Sequence, residues 1–486
     1  MDQTETPVLD ALEEYRVKGY TPFTPPGHKQ GRGIDARTRA VVGHDVFASD
    51  LLRTAGLDDR TASRSVVERA EALMADAVHA DHAFFSTCGS SLSVKSAMLT
   101  VAGPHEELLI SRDAHKSVVS GLILSGVRPV WIEPDWDAEL HLAHPPSPAA
   151  FEAALDAHPD ARGVLVTSPT PYGTCADLAA VIEACHARGR PVIVDEAWGA
   201  HLPFHPDLPT WAMDAGADVC VTSVHKMGGG LEQSSVFHHQ GDLVDPNALR
   251  GRADLLGTTS PNVLIYAALD GWRAHMMRDG ERLLDSALTL AAGVREDIEA
   301  IDGMHVYRDE FLGSGRAFDL DPLQVVIDIA ALGVSGYTAA DWLHDHHRVN
   351  LHIADHRRIS AQLTYADDAE TANVLLTALR SLAREAGSLA PSRAVDVPSP
   401  AELRLEQAEL PRDAFFAETE QVPAYDAVGR IAAEMLTPYP PGIPAVLPGE
   451  RITRPVVDYL VSGVRAGMVV PDAVESTLES IRVTAE

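Results

Sequence analysis

A lysine amine attacks a carbonyl carbon only after losing its proton, and burial where the ammonium is poorly solvated brings this about. Lys226 stands in such a setting. It closes the apolar run VCVTSVHK, read as a strand ending in Lys226, beside Ser223 and His225 and ahead of Met-Gly-Gly-Gly. Asp195 precedes it by 226 − 195 = 31 residues and ends a second apolar strand in RPVIVDEAWGAH. A carboxylate at the carboxyl end of a buried parallel strand points into the ligand crevice. The triple glycine lets the backbone turn sharply and pass close to a bound molecule. Alone, Asp195 reads as structural and Lys226 as a snorkelling surface lysine. Together, in this order and with these flanks, they read as a nucleophile and a partner for a cation, suited to capturing an aldehyde.

Two further segments fit the same crevice. Cys88-Gly89-Ser90-Ser91 lies between a short apolar strand (AFFST) and a helix start. Its backbone N–H groups and the Ser90 and Ser91 hydroxyls would bind a phosphate, the alternative being a plain N-cap. His115, in RDAHKS, follows strand ELLISR. It could lie flat against an aromatic ring, or simply cap a helix.

The elements that must position these residues alternate. Helix-like SVVERAEALMADAVHA, strand AFFST, helix SVKSAMLTVA, strand ELLISR, helix HKSVVSGLILSG and strand VRPVWIEP come first. Strand RGVLVTSP, helix LAAVIEACHARG and strands RPVIVDEA and ADVCVTSVHK follow. Short Val/Ile-rich strands between helices predict a mostly parallel α/β sheet covered on both faces. Before it, residues 1–55 read as an arm, with a helix near 8–18 and the turn-rich TPFTPPGHKQGRG. The α/β region runs over 56–265. A long helix then leads into a smaller α+β domain, 266–388, with strands LQVVIDI, VNLHIA and RISAQLTY and helices YTAADWLHDHH and ETANVLLTALRSLAREAG. Residues 389–404, rich in Pro and Ser, read as a linker. A C-terminal domain, 405–486, carries the turns of PYPPGIP and PGE and is expected to end in a short helix-like segment.

Composition excludes several function classes. The 486 residues are 45% hydrophobic, enough for a large core in two or three domains. Against 39 Lys and Arg stand 70 Asp and Glu, a net charge of −31, which repels nucleic acid and anionic membranes. Four cysteines without a C-x-x-C pair suit a reducing compartment and argue against a disulfide framework or structural zinc. No metal site is expected, and His238-His239 and His346-His347 read as surface features. The polar N-terminus has no signal-peptide core and no run reaches membrane-spanning length, so a cytoplasmic protein is expected.

Taken together, FFSTCGSS, SRDAHKSVVSG, VTSPTPYG, VIVDEAWGAH and TSVHKMGGGLEQSS resemble the Orn/Lys/Arg decarboxylases, which are pyridoxal-phosphate (PLP) enzymes of fold type I, the aspartate-aminotransferase-like fold. PGHKQG and PYPPGIPAVLPGE resemble that family's terminal signatures, so the likeness spans nearly the whole chain. Length and layout are similar to the short bacterial biosynthetic arginine decarboxylases, with no room for the wing domain of the large inducible enzymes. The chain departs from the short arginine enzymes at Trp198, where they carry a His, at CGSS, and along LLRTAGLDDRTASRS.

The resemblance implies roles. Lys226 would bind PLP covalently, Asp195 would pair with its ring nitrogen and His115 would stack on the ring. Ser90 and Ser91 would bind the phosphate, Ser223 and His225 would add donors beside Lys226, and Gly89, Ala197 and Trp198 would also contact the cofactor. Thr258, Thr259 and Ser260 would reach the phosphate in a neighbouring subunit's site, making the enzyme a homodimer or higher even-numbered oligomer. Thr419 and Glu420 would bind the substrate. The implied activity is decarboxylation of a basic amino acid, arginine to agmatine first, lysine or ornithine as alternatives, in polyamine biosynthesis. Either Lys226 or His115 would protonate Cα. Another PLP reaction such as transamination, or a non-catalytic regulatory paralogue, are the rival readings.

Overall fold

Runs of four or five Val, Ile and Leu residues are too short for helices and pack best on a pleated sheet, and they form the strands that carry the site. The structure, a computed structural model, describes residues 1–53, 57, 65–313, 315–439 and 441–485. The expected boundary between arm and α/β region, at residues 55 and 56, and most of the divergent segment LLRTAGLDDRTASRS lie outside them. The chain divides into two units, residues 1–101 with 191–282, and residues 102–190 with 283–486.

In the first unit, Val192–Asp195 pairs in parallel with Val219–Ser223. Ser235–His239 then runs antiparallel to Val219–Ser223 on one side and to His82–Ser86 on the other. This reversed strand was not anticipated, and it changes the reading of two histidines. His238 and His239 are 2% and 1% exposed, not surface residues. All five residues of this strand are buried, so both of its faces are covered. His239 shares a hydrogen with the Val244 carbonyl at 2.7 Å, and His238 meets the Trp211 ring edge-on. Helices Val66–Ala77 and Gly89–Val101 bury Leu73, Met74, Val94 and Met98.

In the second unit, Glu107–Ser111 pairs in parallel with Arg128–Ile132 and with Val164–Thr167. Both of these pairings are parallel, as the alternating pattern predicts, whereas among the described residues the first unit has one parallel pairing and two antiparallel ones. A four-stranded antiparallel sheet follows, in the order His305–Val306, Gln324–Asp328, Arg358–Gln362, Ile353–Ala354. Helices Gly336–His347 and Ala369–Glu385 accompany it. The latter starts on a capping box, in which Asp368 accepts from the Thr371 amide and Thr371 returns the bond. The last segment closes around its own apolar cluster, with Ala432, Leu436, Val446, Val457, Leu460 and Val483 fully buried. Its final element is a strand, Ser480–Thr484, paired with Thr419–Pro423, in place of the expected helix-like end. The alternation of buried Ile481 and Val483 with half-buried neighbours has the period of a strand. Among the described residues no helix is long and apolar enough to cross a membrane.

Candidate active site

The first unit gathers most of the residues singled out from the sequence. Asp195 does end its strand and is 4% exposed. The Ala197 amide donates to its Oδ1 at 3.3 Å. Burial raises its pKa, and the charge of Lys226 pulls it back down.

Lys226 departs from the expectation in its local structure. The strand stops at Ser223, and Val224–Met227 forms a single helical turn that carries the lysine. The Gly228 amide closes that turn on the Val224 carbonyl at 2.8 Å. The turn cannot move outward, because a Cβ at Gly228 would meet the Trp272 ring and the Val224 carbonyl at 2.8 Å. The glycines here answer to packing against Trp272 and Ser234 as well as to any bound molecule. Lys226 Nζ sits 3.9 Å from the centre of the Trp198 ring, a cation–π contact. Burial lowers the pKa of the amine to about 8, against the upward pull of Asp195 and Glu232.

Around this pair lies a ledge of hydroxyls. Strand register puts Ser86, Ser235 and Ser223 on one rung. Ser223 Oγ donates to Ser90 Oγ at 2.6 Å, and Ser93 and Ser235 share a hydrogen at 3.1 Å. Ser90 and Ser91 occupy the first turn of the 13-residue helix Gly89–Val101, which has no acidic residue there. Its N-terminal amides carry partial positive charge and suit an anion. The Gly89 amide is tied back to the Gln233 carbonyl at 3.0 Å. His225 shares a hydrogen with the Ser234 carbonyl at 2.9 Å. A partly deprotonated amine, a buried carboxylate, and hydroxyls at a helix start form a donor set that fits an aldehyde-bearing, phosphorylated pyridine. Thr258, Thr259 and Ser260 are exposed, with the Ser260 amide on Thr258 Oγ1.

The second unit holds the rest. His115 follows its strand as expected and caps helix Lys116–Ser125, its Nδ1 accepting from the Ser117 amide at 3.2 Å. Both readings of this histidine therefore remain compatible, since capping uses one ring nitrogen. Gly442, at φ +90°, lies against the ring; a Cβ there would meet His115 Cδ2 and Nε2 at 3.2 Å. Thr419 and Glu420 lie exposed on the ladder with Ser480–Thr484, and Glu420 accepts from Arg430 at 2.5 Å.

Sequence reasoning missed two buried groups. Glu196, beside Asp195, is completely buried and accepts from Cys220 Sγ at 3.1 Å and the Ala212 amide at 3.2 Å. Burial pushes its carboxyl well above the ordinary range. An acidic residue directly after the apolar run that Asp195 closes was the available signal. Arg358, 1% exposed, begins strand Arg358–Gln362, and a charged residue opening an apolar strand was the hint there.

Comparison with known proteins shows the family. The Orn/Lys/Arg decarboxylase major-domain model matches residues 6–370, and the family's C-terminal-domain model matches residues 398–471. The chain is 38% identical over its whole length to an arginine decarboxylase of Halalkalibacterium halodurans, covering 98% of it. It is 37% identical to an arginine decarboxylase of Bacillus subtilis, covering 100% of this chain and 99% of that one. Among solved structures, lysine decarboxylase A from Pseudomonas aeruginosa superposes with a TM-score of 0.81 at 22% identity, over 99% of this chain and 81% of that one. The fold is thereby that of the fold type I enzymes, and the chain belongs to the Orn/Lys/Arg decarboxylase family.

Proposed function

We propose that this enzyme decarboxylates L-arginine to agmatine and CO2, with PLP held covalently by Lys226. The observation that carries the choice of substrate is full-length identity of 37–38% to arginine decarboxylases, against 23–26% to lysine decarboxylases. The enzyme works as a cytoplasmic homodimer or higher even-numbered oligomer, with Thr258–Ser260 serving the neighbour's site.

When bound, PLP supplies a ring that takes up the electron pair left on Cα as CO2 departs. The chain's own residues do the rest. With its pKa near 8, Lys226 keeps a useful fraction of neutral amine at physiological pH. Trp198 under Nζ steers that amine. Asp195, buried and held by one backbone donor from Ala197, suits a protonated ring nitrogen, because opposite charges in a buried site favour the ion pair. Ser90, Ser91, Ser223 and the helix amides beside them offer donors to the phosphate, and His225 stands next to them. His115 accepts at Nδ1 from Ser117, so its neutral ring carries the proton on Nε2. That proton and the Lys226 ammonium are the two sources for reprotonating Cα. Glu420 anchors the cationic end of the substrate, with Thr419 beside it.

Purified enzyme with added PLP, given arginine, lysine and ornithine separately, tests this reading. Agmatine with equimolar CO2 from arginine is expected. Cadaverine or putrescine as the dominant product would reassign the substrate, and a keto acid without CO2 would replace the reaction. Lys226→Ala should lose both the visible absorbance of the bound cofactor and turnover; normal turnover in that variant would refute the role of Lys226.

A further inference from the structure

The second unit contains a cavity of about 220 Å³ to which neither Lys226 nor Asp195 contributes. Its walls include aromatic and proline side chains, among them Trp136, Tyr172, Tyr337, Pro398 and Pro441. Arg358 also lines it. The guanidinium is 1% exposed and stays charged, because its partner Asp355 outweighs the cost of burial.

Three of its contacts are made. Nε donates to Asp355 Oδ2 at 2.8 Å, Nη2 donates to the His141 carbonyl at 3.0 Å, and the group lies 5.4 Å from the Tyr172 ring centre. Nη1 is buried and has no hydrogen-bond partner among the described residues. A charged donor left so is costly, which marks a place for an acceptor. Asp355 cannot supply it. Its Oδ1 already accepts from the Arg357 and Arg358 amides at 2.9 and 2.7 Å, and its Oδ2 also accepts from Tyr172 Oη at 3.2 Å.

We propose that this cavity is an effector site for a small monocarboxylate, with its carboxylate on Arg358 Nη1 and an apolar or aromatic body against the ring-lined wall. The volume lies below the roughly 300–1,000 Å³ of drug-sized pockets, so the occupant is a single ring or a short branched acid. It carries one negative charge only: Arg112, which also lines the cavity, is engaged by Glu450, and Asp113 and Glu133 in the wall leave Arg358 Nη1 as the one place among the described residues where an anionic oxygen meets an open charged donor.

The site has a route to the chemistry. Pro441 and Ile443 line the cavity, and Gly442 between them packs on the His115 imidazole. The Lys116 amide, next to His115, donates to the Gly442 carbonyl at 3.1 Å. An occupant bearing on residues 441–443 therefore bears on the seat of His115.

The probe is benzoate, with benzamide as its uncharged counterpart. Calorimetric titration of the holoenzyme should show benzoate binding at least ~10-fold tighter than benzamide, as a hydrogen bond to a charged group requires. Ala143→Phe, which fills the cavity from its wall, and Arg358→Met should both abolish that difference. If Arg358→Met does not fold, Ala143→Phe decides. Benzoate should change kcat for arginine and leave KM within about twofold. This arm rests on the decarboxylase reading above, whereas the calorimetric arm does not, so the two can fail separately. Equal affinity for the two probes, no binding of either, binding that survives in Ala143→Phe, or inhibition competitive with arginine would overturn the proposal.

Discussion

The partly deprotonated state of Lys226 can be tested directly in the cofactor-free protein. With a pKa of about 8, roughly a quarter of the amine is neutral at pH 7.5, against about one part in a thousand for a lysine at 10.5. That is about a 200-fold advantage in the form that attacks a carbonyl. Partial burial of the side chain slows reagent access, so we take ~10-fold as the minimum to survive in a rate. Reductive methylation with formaldehyde and cyanoborohydride, followed residue by residue by peptide mass spectrometry, measures it. Lys18, whose ammonium is held above the ordinary value by Glu14, is the internal reference. The Lys226 rate should climb with pH and bend near pH 8, while Lys18 keeps climbing. Asp195→Asn removes the charge that pulls the Lys226 pKa upward, so the bend should move to lower pH. A bend near 10.5, or a move to higher pH in Asp195→Asn, would refute the reasoning that burial sets this amine.

Three further expectations follow from the same geometry. Burial holds the His238 pKa near 3, so the unfolded chain takes up a proton below about 6.5 that the folded chain refuses. Stability then falls with pH by up to ~1.4 kcal/mol per unit, about 2 kcal/mol between pH 7 and 5, and urea unfolding of His238→Leu should show a flatter acid limb. Gly228→Ala should cost about 1–3 kcal/mol through the clash with Trp272, read as a lower urea midpoint at unchanged slope. Glu420→Gln should raise KM for arginine with kcat nearly kept, while Tm moves little because the Glu420 carboxylate is about half exposed where it meets Arg430; an unchanged KM would remove Glu420 from substrate binding.

The alternation of short apolar strands and helices made the α/β core legible, since each strand buries both faces and reads as a continuous apolar run. Asp195, His115 and the Ser90–Ser91 turn were legible for the same reason, as each stands where such a run stops. The reversed strand Ser235–His239 was hidden by its own sequence. SVFHH carries two histidines, and polarity conceals a strand whose imidazoles are satisfied by Val244 or packed on Trp211. The helical turn at Lys226 was hidden too, because TSVHKM has no break between strand and helix; the stop comes from the ladder ending at Ser223 and from Trp272 behind Gly228. The unsatisfied Arg358 Nη1 could not be read at all, because its neighbours His141 and Tyr172 lie about two hundred residues away in sequence.

The reversed strand also bears on how the molecule is made. His82–Ser86 has Ser235–His239 as its ladder partner, so it leaves the ribosome 235 − 82 = 153 residues before that partner exists. At ~5–20 residues per second, this strand waits about 8–30 seconds with its amides and carbonyls unpaired. An unpaired apolar edge is a template for a second chain. During synthesis, AFFS is therefore a stretch that needs shielding, and fragments ending before residue 239 should precipitate where the whole chain does not.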